Sequence, residues 1–300
     1  MTPEPGLIAV DWGTTRFRAY LAAADGTIFE RRESDDGIAA ISPGGFASAL
    51  LSHCGSWLDQ YPGLPVVMAG MIGSRNGWIE APYAPCPASP ADIALGMACA
   101  EISPGRAASI IPGLITRESA APDVMRGEET LIFGSGVTDG IAVLPGTHSK
   151  WARIEGGRIT GFMTFMTGEF YDVLVKHSLL GRLAAAPEDS AGFRRGLEHA
   201  AGARLPLTHA VFAARTLVLA GGMPPGMVAP FLSGLLIGAE IRGAREVFGV
   251  VPRVSLIGGG ALARNYEEAL AHGGIAAERL DSEACLLRGI AAIGAARRAE

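Results

Sequence analysis

One local pattern occurs twice in this chain, and it restricts the fold more than any other feature. Leu7-Ile-Ala-Val-Asp-Trp-Gly-Thr-Thr-Arg-Phe-Arg-Ala-Tyr-Leu21 is echoed by Ile141-Ala-Val-Leu-Pro-Gly-Thr-His-Ser-Lys-Trp-Ala-Arg-Ile154. Each copy reads as an apolar strand, a Gly-Thr turn and a second strand. Arg16, Arg18 and Tyr20 alternate along one second strand; Lys150, Ala152 and Ile154 alternate along the other. A further turn follows each, Asp25-Gly26 or Gly156-Gly157, with β-branched residues beyond. Two hairpins of one design predict two lobes of related topology.

Other apolar runs of strand length, residues 65–69 and 254–257, end in glycine-containing loops. Helical spacing follows the second of these: Leu262, Tyr266 and Leu270 recur at steps of four, on one face. Strands alternating with helices predict an α/β architecture. The composition supports a packed core, because 49% of the 300 residues are hydrophobic and only 18% charged. That balance excludes a disordered chain. A net charge of −5 without a basic run excludes a dedicated nucleic-acid binder. Cys54, Cys86, Cys99 and Cys285 stand far apart, which fits reduced thiols in a cytoplasmic protein better than a disulfide or zinc framework. No basic region precedes the first apolar stretch, so no signal peptide is expected. Residues 216–239 carry no charge, but Pro224, Pro225, Pro230 and Gly221-Gly222 should break them into pieces too short for a bilayer. A mean hydropathy of +0.28 leaves room for an interface between two copies, as in a homodimer.

A Gly-Thr turn points backbone N–H groups and hydroxyls into a concavity that suits phosphate oxygens. Gly13, Thr14, Thr15, Gly146, Thr147 and His148 are the candidates. Asp11, ending the first strand, is placed to hold Mg²⁺ directly or through water, and equally to serve as one polar residue of the turn. Arg16 and Lys150, just beyond the two turns, either reach phosphate or face solvent. Gly258-Gly259-Gly260 follows a strand and opens a helix, where a flat ligand can lie against the backbone near the helix N-terminus. Gly127-Glu128-Glu129-Thr130 opens a helix ending near Gly134, and residues 286–296 form a helix rich in Ala and Gly with Leu286, Ile290 and Ile293 on one face. Walker, zinc-protease and nucleophile-elbow motifs do not occur.

The order of these motifs resembles the superfamily of sugar kinases, actin and Hsp70, whose two ribonuclease-H-like lobes clasp ATP. The resemblance implies that residues 11–18 and 144–151 are the two phosphate motifs and 255–262 the adenosine motif. Residues 286–296 would then be a connecting helix. It also implies lobes of residues 1–140 and 141–285, with 286–300 returning to the first. A closer resemblance rests on Val67-Met-Ala-Gly-Met-Ile-Gly-Ser74, Gly77-Trp78, Ala81-Pro-Tyr83, Met125-Arg-Gly-Glu-Glu-Thr130, Leu144-Pro-Gly-Thr-His148, Met166-Thr-Gly-Glu169 and Phe231-Leu-Ser-Gly-Leu-Leu-Ile-Gly-Ala-Glu240. These stretches are similar to those of 2-dehydro-3-deoxygalactonokinases over almost the whole chain.

That family resemblance implies ATP- and Mg²⁺-dependent phosphorylation of the 6-hydroxyl of 2-dehydro-3-deoxygalactonate, in galactonate breakdown. The alternatives are a kinase of a related acid, such as 2-dehydro-3-deoxygluconate, and a non-enzymatic actin- or Hsp70-type ATP binder. Many sugar kinases place their catalytic base in a Gly-Asp pair. Here Glu128 takes that position and Glu129 follows it, so the base is Glu128 or its neighbour. The substrate carboxylate calls for a planar cation or several backbone donors. Arg75 is the first choice and Arg126 the second. Asn76 and Trp78 would meet the sugar from the same loop, and Glu169 would meet it from the second lobe.

Overall fold

The computed structural model describes residues 4–23, 25–117, 121–186, 189–202 and 206–298. They form two compact units. The first comprises Met1–Asp139, Arg153–Phe162 and Leu280–Glu300; the second comprises Gly140–Ala152 and Met163–Arg279.

The first unit is built on six strands: β1 (Leu7–Trp12), β2 (Phe17–Ala22), β3 (Ile28–Ser34), β4 (Val66–Ala69), β6 (Ala98–Ser103) and β7 (Arg106–Ile110). They run in the order β3-β2-β1-β4-β7-β6. Antiparallel pairing joins β1 to β2, β2 to β3 and β6 to β7, whereas β1, β4 and β7 are parallel neighbours. β1 is almost uniformly apolar because both of its faces are covered. Helix α1 (Phe46–Gln60) packs Phe46, Leu50 and Trp57 over Ile8, Val10, Trp12 and Met68. On the other face lies α10 (Ser282–Arg298), where the Tyr20 hydroxyl donates to Glu283 (2.9 Å) and Gly294 lies against Val67. Helix α3 (Glu128–Gly134) crosses α10 at Gly134 and Gly289. A Cβ on Gly134 would fall 1.7 Å from the Cys285 carbonyl oxygen, so only glycine permits the crossing. A short sheet of β5 (Tyr83–Pro85), β8 (Gly113–Thr116) and β9 (Asp123–Met125) leads the chain into α3. Helix α2 (Pro90–Leu95) starts at a Ser89–Asp92 capping box, and Arg297 of α10 donates to its Ala94 carbonyl.

The second sheet has the order β12-β11-β10-β13-β14. Its strands are β10 (Gly140–Leu144), β11 (Ser149–Glu155), β12 (Arg158–Phe165), β13 (Arg253–Ile257) and β14 (Ala276–Leu280). The second unit's helices are α4 (Thr167–His177), α5 (Ala191–Gly202), α6 (Leu207–Ala210), α7 (Ala213–Leu219), α8 (Val228–Phe248) and α9 (Gly260–His272). Ile237, Ile241 and Ala244 of α8 join the core formed with β10, β13 and α9. Phe231, Leu232 and Leu235 of the same helix join a second core with α4 and α7.

Several expectations need correction. Arg153–Phe162 groups with the first unit although it follows residue 140, because Ala88 and Ile159 bridge and Arg158 binds the Pro87 carbonyl (2.7 Å) and Asp92 (3.1 Å). The last segment of that unit begins at Leu280, earlier than expected. Pro230 does not break α8: it lies in the first turn, where a missing N–H forfeits no intrahelical bond. Pro225–Phe248 is therefore long and apolar enough to cross a membrane by length and composition, although 61% of its most apolar window is buried. On α9, Leu262 is 40% exposed and the buried stripe is Ala263, Tyr266, Ala269 and Leu270. Leu262 lies on the same face but in the first turn of α9, where its side chain lines a cavity with Gly146 and Gly168 instead of the core.

Candidate active site

In the first unit Asp11 pairs in register with Ala69, so β1 and β4 end side by side. Ligands commonly bind at such carboxyl ends in α/β sheets. Gly70 follows β4 with φ of +92°, and a Cβ there would stand 3.0 Å from the Trp12 carbonyl oxygen and 3.2 Å from Asp11 Oδ1. Gly127 has φ of +106°, and its Cβ would meet Gly70 Cα at 3.5 Å. The ends of β1 and β4 and the start of α3 therefore converge. Asp11 is partly buried and forms an ion pair with Arg18, its partner across the hairpin. Burial pushes the Asp11 carboxyl up from its ordinary value, and the Arg18 charge only partly opposes this.

The two glutamates at the start of α3 differ sharply. Glu129 is completely buried; its Oε2 accepts the Gly127 N–H (2.7 Å) and its Oε1 the Thr130 hydroxyl (2.9 Å). Desolvation, with the neighbouring Glu128 charge, pushes its carboxyl up to about 8. Glu128 is half-buried, and its Oε2 accepts the Arg126 N–H (3.1 Å). Arg126 itself is clamped. Its Nη2 donates to the Ala81 carbonyl (2.8 Å) and its guanidinium lies 4.5 Å above the Tyr83 ring. Its Nε and Nη1 are buried without a hydrogen-bond partner among the described residues. Buried cationic donors left unpaired are costly, so such a group marks a place where an anion would be stabilised.

In the second unit β10 and β13 are parallel neighbours, with Val143 in register with Leu256. The loops following them also meet: a Cβ on Gly258 would lie 3.6 Å from Pro145. Gly259 and Gly260 are exposed at the start of α9. The first turn of α4 lies directly on the Gly-Thr loop, since a Cβ on Gly168 would stand 2.5 Å from the Gly146 carbonyl oxygen. Glu169 donates its N–H to the Thr147 carbonyl (2.9 Å), and its Oε2 lies 2.5 Å from His148 Nε2. A cavity of about 200 Å³ is lined by Gly146, Gly168, Ser233, Leu262, Asn265 and Tyr266. No group of three or more His, Cys, Asp or Glu side chains able to hold a metal occurs among the described residues.

The sequence profile of the 2-keto-3-deoxy-galactonokinase family matches residues 11–293. The chain belongs to this family. It is 36% identical to a probable 2-dehydro-3-deoxygalactonokinase of Rhizobium meliloti (strain 1021), over 97% of each chain. It is 37% identical to the 2-dehydro-3-deoxygalactonokinase of Escherichia coli (strain K12), over 87% of this chain and 88% of that one. A solved structure of a putative 2-dehydro-3-deoxygalactonokinase protein from Sinorhizobium meliloti is 34% identical with a TM-score of 0.83, covering 98% of this chain and 96% of that one. The activator of 2-hydroxyisocaproyl-CoA dehydratase from Clostridium difficile shares the fold at a TM-score of 0.52 and 14% identity, over 98% of this chain and 96% of that one.

Within this kinase family member, some expected residues come together and others do not. Asp11 and the Gly127-Glu128 start of α3 converge around Gly70, and Gly146, Thr147, His148 and Glu169 form one cluster. Gly13 is not a free donor, because its N–H is spent on the Arg16 carbonyl (2.9 Å) within the turn; Thr14, Thr15 and Arg16 form the exposed tip. Lys150 is only 4% exposed, with Nζ 3.5 Å from the His148 carbonyl oxygen, so it is no solvated strand residue. Arg75 projects outward, its side chain 88% exposed and its Nε 3.9 Å from Glu80; Asn76 is exposed beside it. Trp78 packs on the core instead, stacked on Phe46 at 6.3 Å. Sequence reasoning passed over Arg18, although the four-residue turn between Asp11-Trp12 and Phe17-Arg18 pairs it with Asp11. It also left Glu240 without a role, although that residue closes one of the family-like stretches.

Proposed function

We propose that this protein transfers the γ-phosphoryl group of ATP to the 6-hydroxyl of 2-dehydro-3-deoxy-D-galactonate, in galactonate catabolism in the cytoplasm. Family membership along nearly the whole chain carries this reading. The convergence of Asp11, Gly70 and Gly127-Glu128 supports it, because phosphoryl transfer asks for positioning and charge neutralisation at one point.

In this reading Glu128 accepts the proton of the attacking hydroxyl. Glu129 is unsuited to that task, since both of its oxygens are engaged inside the protein. Asp11 would hold Mg²⁺. A single carboxylate fits that ion, which is commonly bound by one or two carboxylates with water and substrate phosphate oxygens, and the bound ion would offset phosphate charge. The exposed tip at Thr14, Thr15 and Arg16 takes part in phosphate binding, as do the Gly146-Thr147-His148 loop and the neighbouring Lys150. Gly258, Gly259 and Gly260 face the nucleoside. Arg126, with two unpaired nitrogens, takes the substrate carboxylate in preference to the exposed Arg75. Glu169 and the exposed Asn76 are further substrate contacts in this reading. Trp78 acts by shaping the loop rather than by stacking on sugar.

The test is ADP release by the purified chain with Mg²⁺-ATP and a panel of sugar acids. Turnover with 2-dehydro-3-deoxygalactonate well above that with its gluconate-derived epimer supports the reading. A preference for the epimer would reassign the substrate, and ATP turnover indifferent to every acid would overturn kinase function.

A further inference from the structure

Glu240 ends the stretch Phe231-Leu-Ser-Gly-Leu-Leu-Ile-Gly-Ala-Glu240, in the middle of α8, and is only 3% exposed. A carboxylate so deep in an apolar helix is expensive unless its lone pairs are filled. Here they are filled from three other elements. Trp151 of β11 donates Nε1–H to Oε1 (2.9 Å), and Tyr266 of α9 donates its hydroxyl to Oε2 (2.7 Å). The hydroxyl of Thr167, the first residue of α4, also bonds to it, and Ser149 of β11 reaches it through Tyr266. Ser149 Oγ and Tyr266 Oη lie 2.7 Å apart, closing the network.

Each of these three elements carries one wall of the proposed nucleotide half-site. Ser149 and Trp151 follow the Gly146-Thr147 loop directly. Thr167 precedes Gly168, whose backbone rests on Gly146. Tyr266 is on the helix opened by Gly260, and it lines the small cavity together with Gly146, Gly168 and Thr167. The glycine run has no side chain of its own to fix its place, and the Gly-Thr loop is tied to α4 by His148 and Glu169 but not to α9.

We infer that Glu240 is a positioning residue for nucleotide binding, a carboxylate that sets the Gly-Thr loop, the first turn of α4 and helix α9 in register with one another. A fully satisfied buried network specifies one geometry, and a partly satisfied one loses it. The inference rests on the nucleotide reading of the second unit.

Mg²⁺-ATP binding to the full-length chain, by calorimetry, tests both. Wild type that fails to bind ATP would overturn the nucleotide reading and this inference with it. Given binding by wild type, Glu240→Gln keeps the shape but replaces one acceptor by a donor. It should weaken Mg²⁺-ATP binding about tenfold, in line with a lost charged hydrogen bond, while KM for the sugar acid stays within about twofold. Tyr266→Phe keeps the ring and should weaken ATP binding about threefold by the loss of one hydroxyl. If Glu240→Gln does not fold, Tyr266→Phe decides. Unchanged ATP affinity in a folded variant, or equal losses for ATP and sugar acid, would make the network a structural brace only and overturn the inference.

Discussion

The two Gly-Thr hairpins share a turn sequence but present different chemistry. At the first, the carboxylate belongs to the hairpin: Asp11, next to last in β1, pairs with Arg18 across the turn. At the second, the residue corresponding to Asp11 is Leu144, and the carboxylate is Glu240 of α8, held by Trp151 and Tyr266. The first hairpin carries its carboxyl group on its own strand; the second takes one from α8 and offers backbone. A duplicated turn thus supplies a place for phosphate twice, while the surrounding side chains separate metal chemistry from nucleotide positioning.

The strongest way to sharpen this contrast is at the start of α3, beside the first hairpin. Glu128→Gln should lower kcat by about 10²-fold or more, the usual scale of a general base, with KM for ATP nearly unchanged. If Glu129→Gln shows the larger loss in steady-state kinetics, the assignment of the base is wrong.

Next in size is the carboxylate clamp. Arg126→Ala should raise KM for the sugar acid by roughly 10- to 100-fold, the scale of a charged hydrogen bond, and leave KM for ATP alone. Arg75→Ala, at an exposed and loosely paired residue, should change either KM by less than about twofold. The reverse ranking would return the carboxylate to the Arg75 loop.

A smaller effect is expected from the Asp11–Arg18 pair itself. Asp11→Asn should raise the Mg²⁺ concentration needed for half-maximal rate about tenfold, because an amide cannot offset the metal's charge. Glu240→Gln should not change it. An unchanged Mg²⁺ requirement in Asp11→Asn would reduce Asp11 to a turn residue and erase the contrast between the hairpins.

The smallest expected signal concerns stability. Glu129 titrates at about 8 in the folded chain against an ordinary value of 4.5. Between those values the folded state holds a proton that the unfolded state has released. Stability therefore falls as pH rises through that window and levels off above it. Glu129→Gln, which cannot ionise, should flatten the fall, read as melting temperature against pH. An identical slope in both proteins would show that Glu129 is ionised in the fold.

Much of the scaffold was legible in the residues. Apolar runs marked β1, β4, β10 and β13, and the glycines at 127 and 260 marked helix starts, because these signals are local. Pro230 misled, since proline breaks a helix only beyond its first turn. Leu262 misled because a spacing of four names a face but not whether the core or a cavity covers each of its turns.

By itself the sequence determined the two strand–turn–strand units, the family and the set of groups from which a site can be built. Those follow from backbone preferences and residue order. Only the tertiary structure decided between neighbours of the same type. Glu128 and Glu129 are consecutive on one helix and point about 100° apart, so one stays partly exposed and the other is sealed beneath the Gly127 N–H. Arg75 and Arg126 both flank family-like stretches, yet the packing of Ala81, Tyr83 and Gly73 encloses only Arg126. Glu240 lies 89 residues from Trp151 and 26 from Tyr266, and only packing brings them together. Burial, register and long-range hydrogen bonding depend on what the rest of the chain places alongside, and no local pattern contains that.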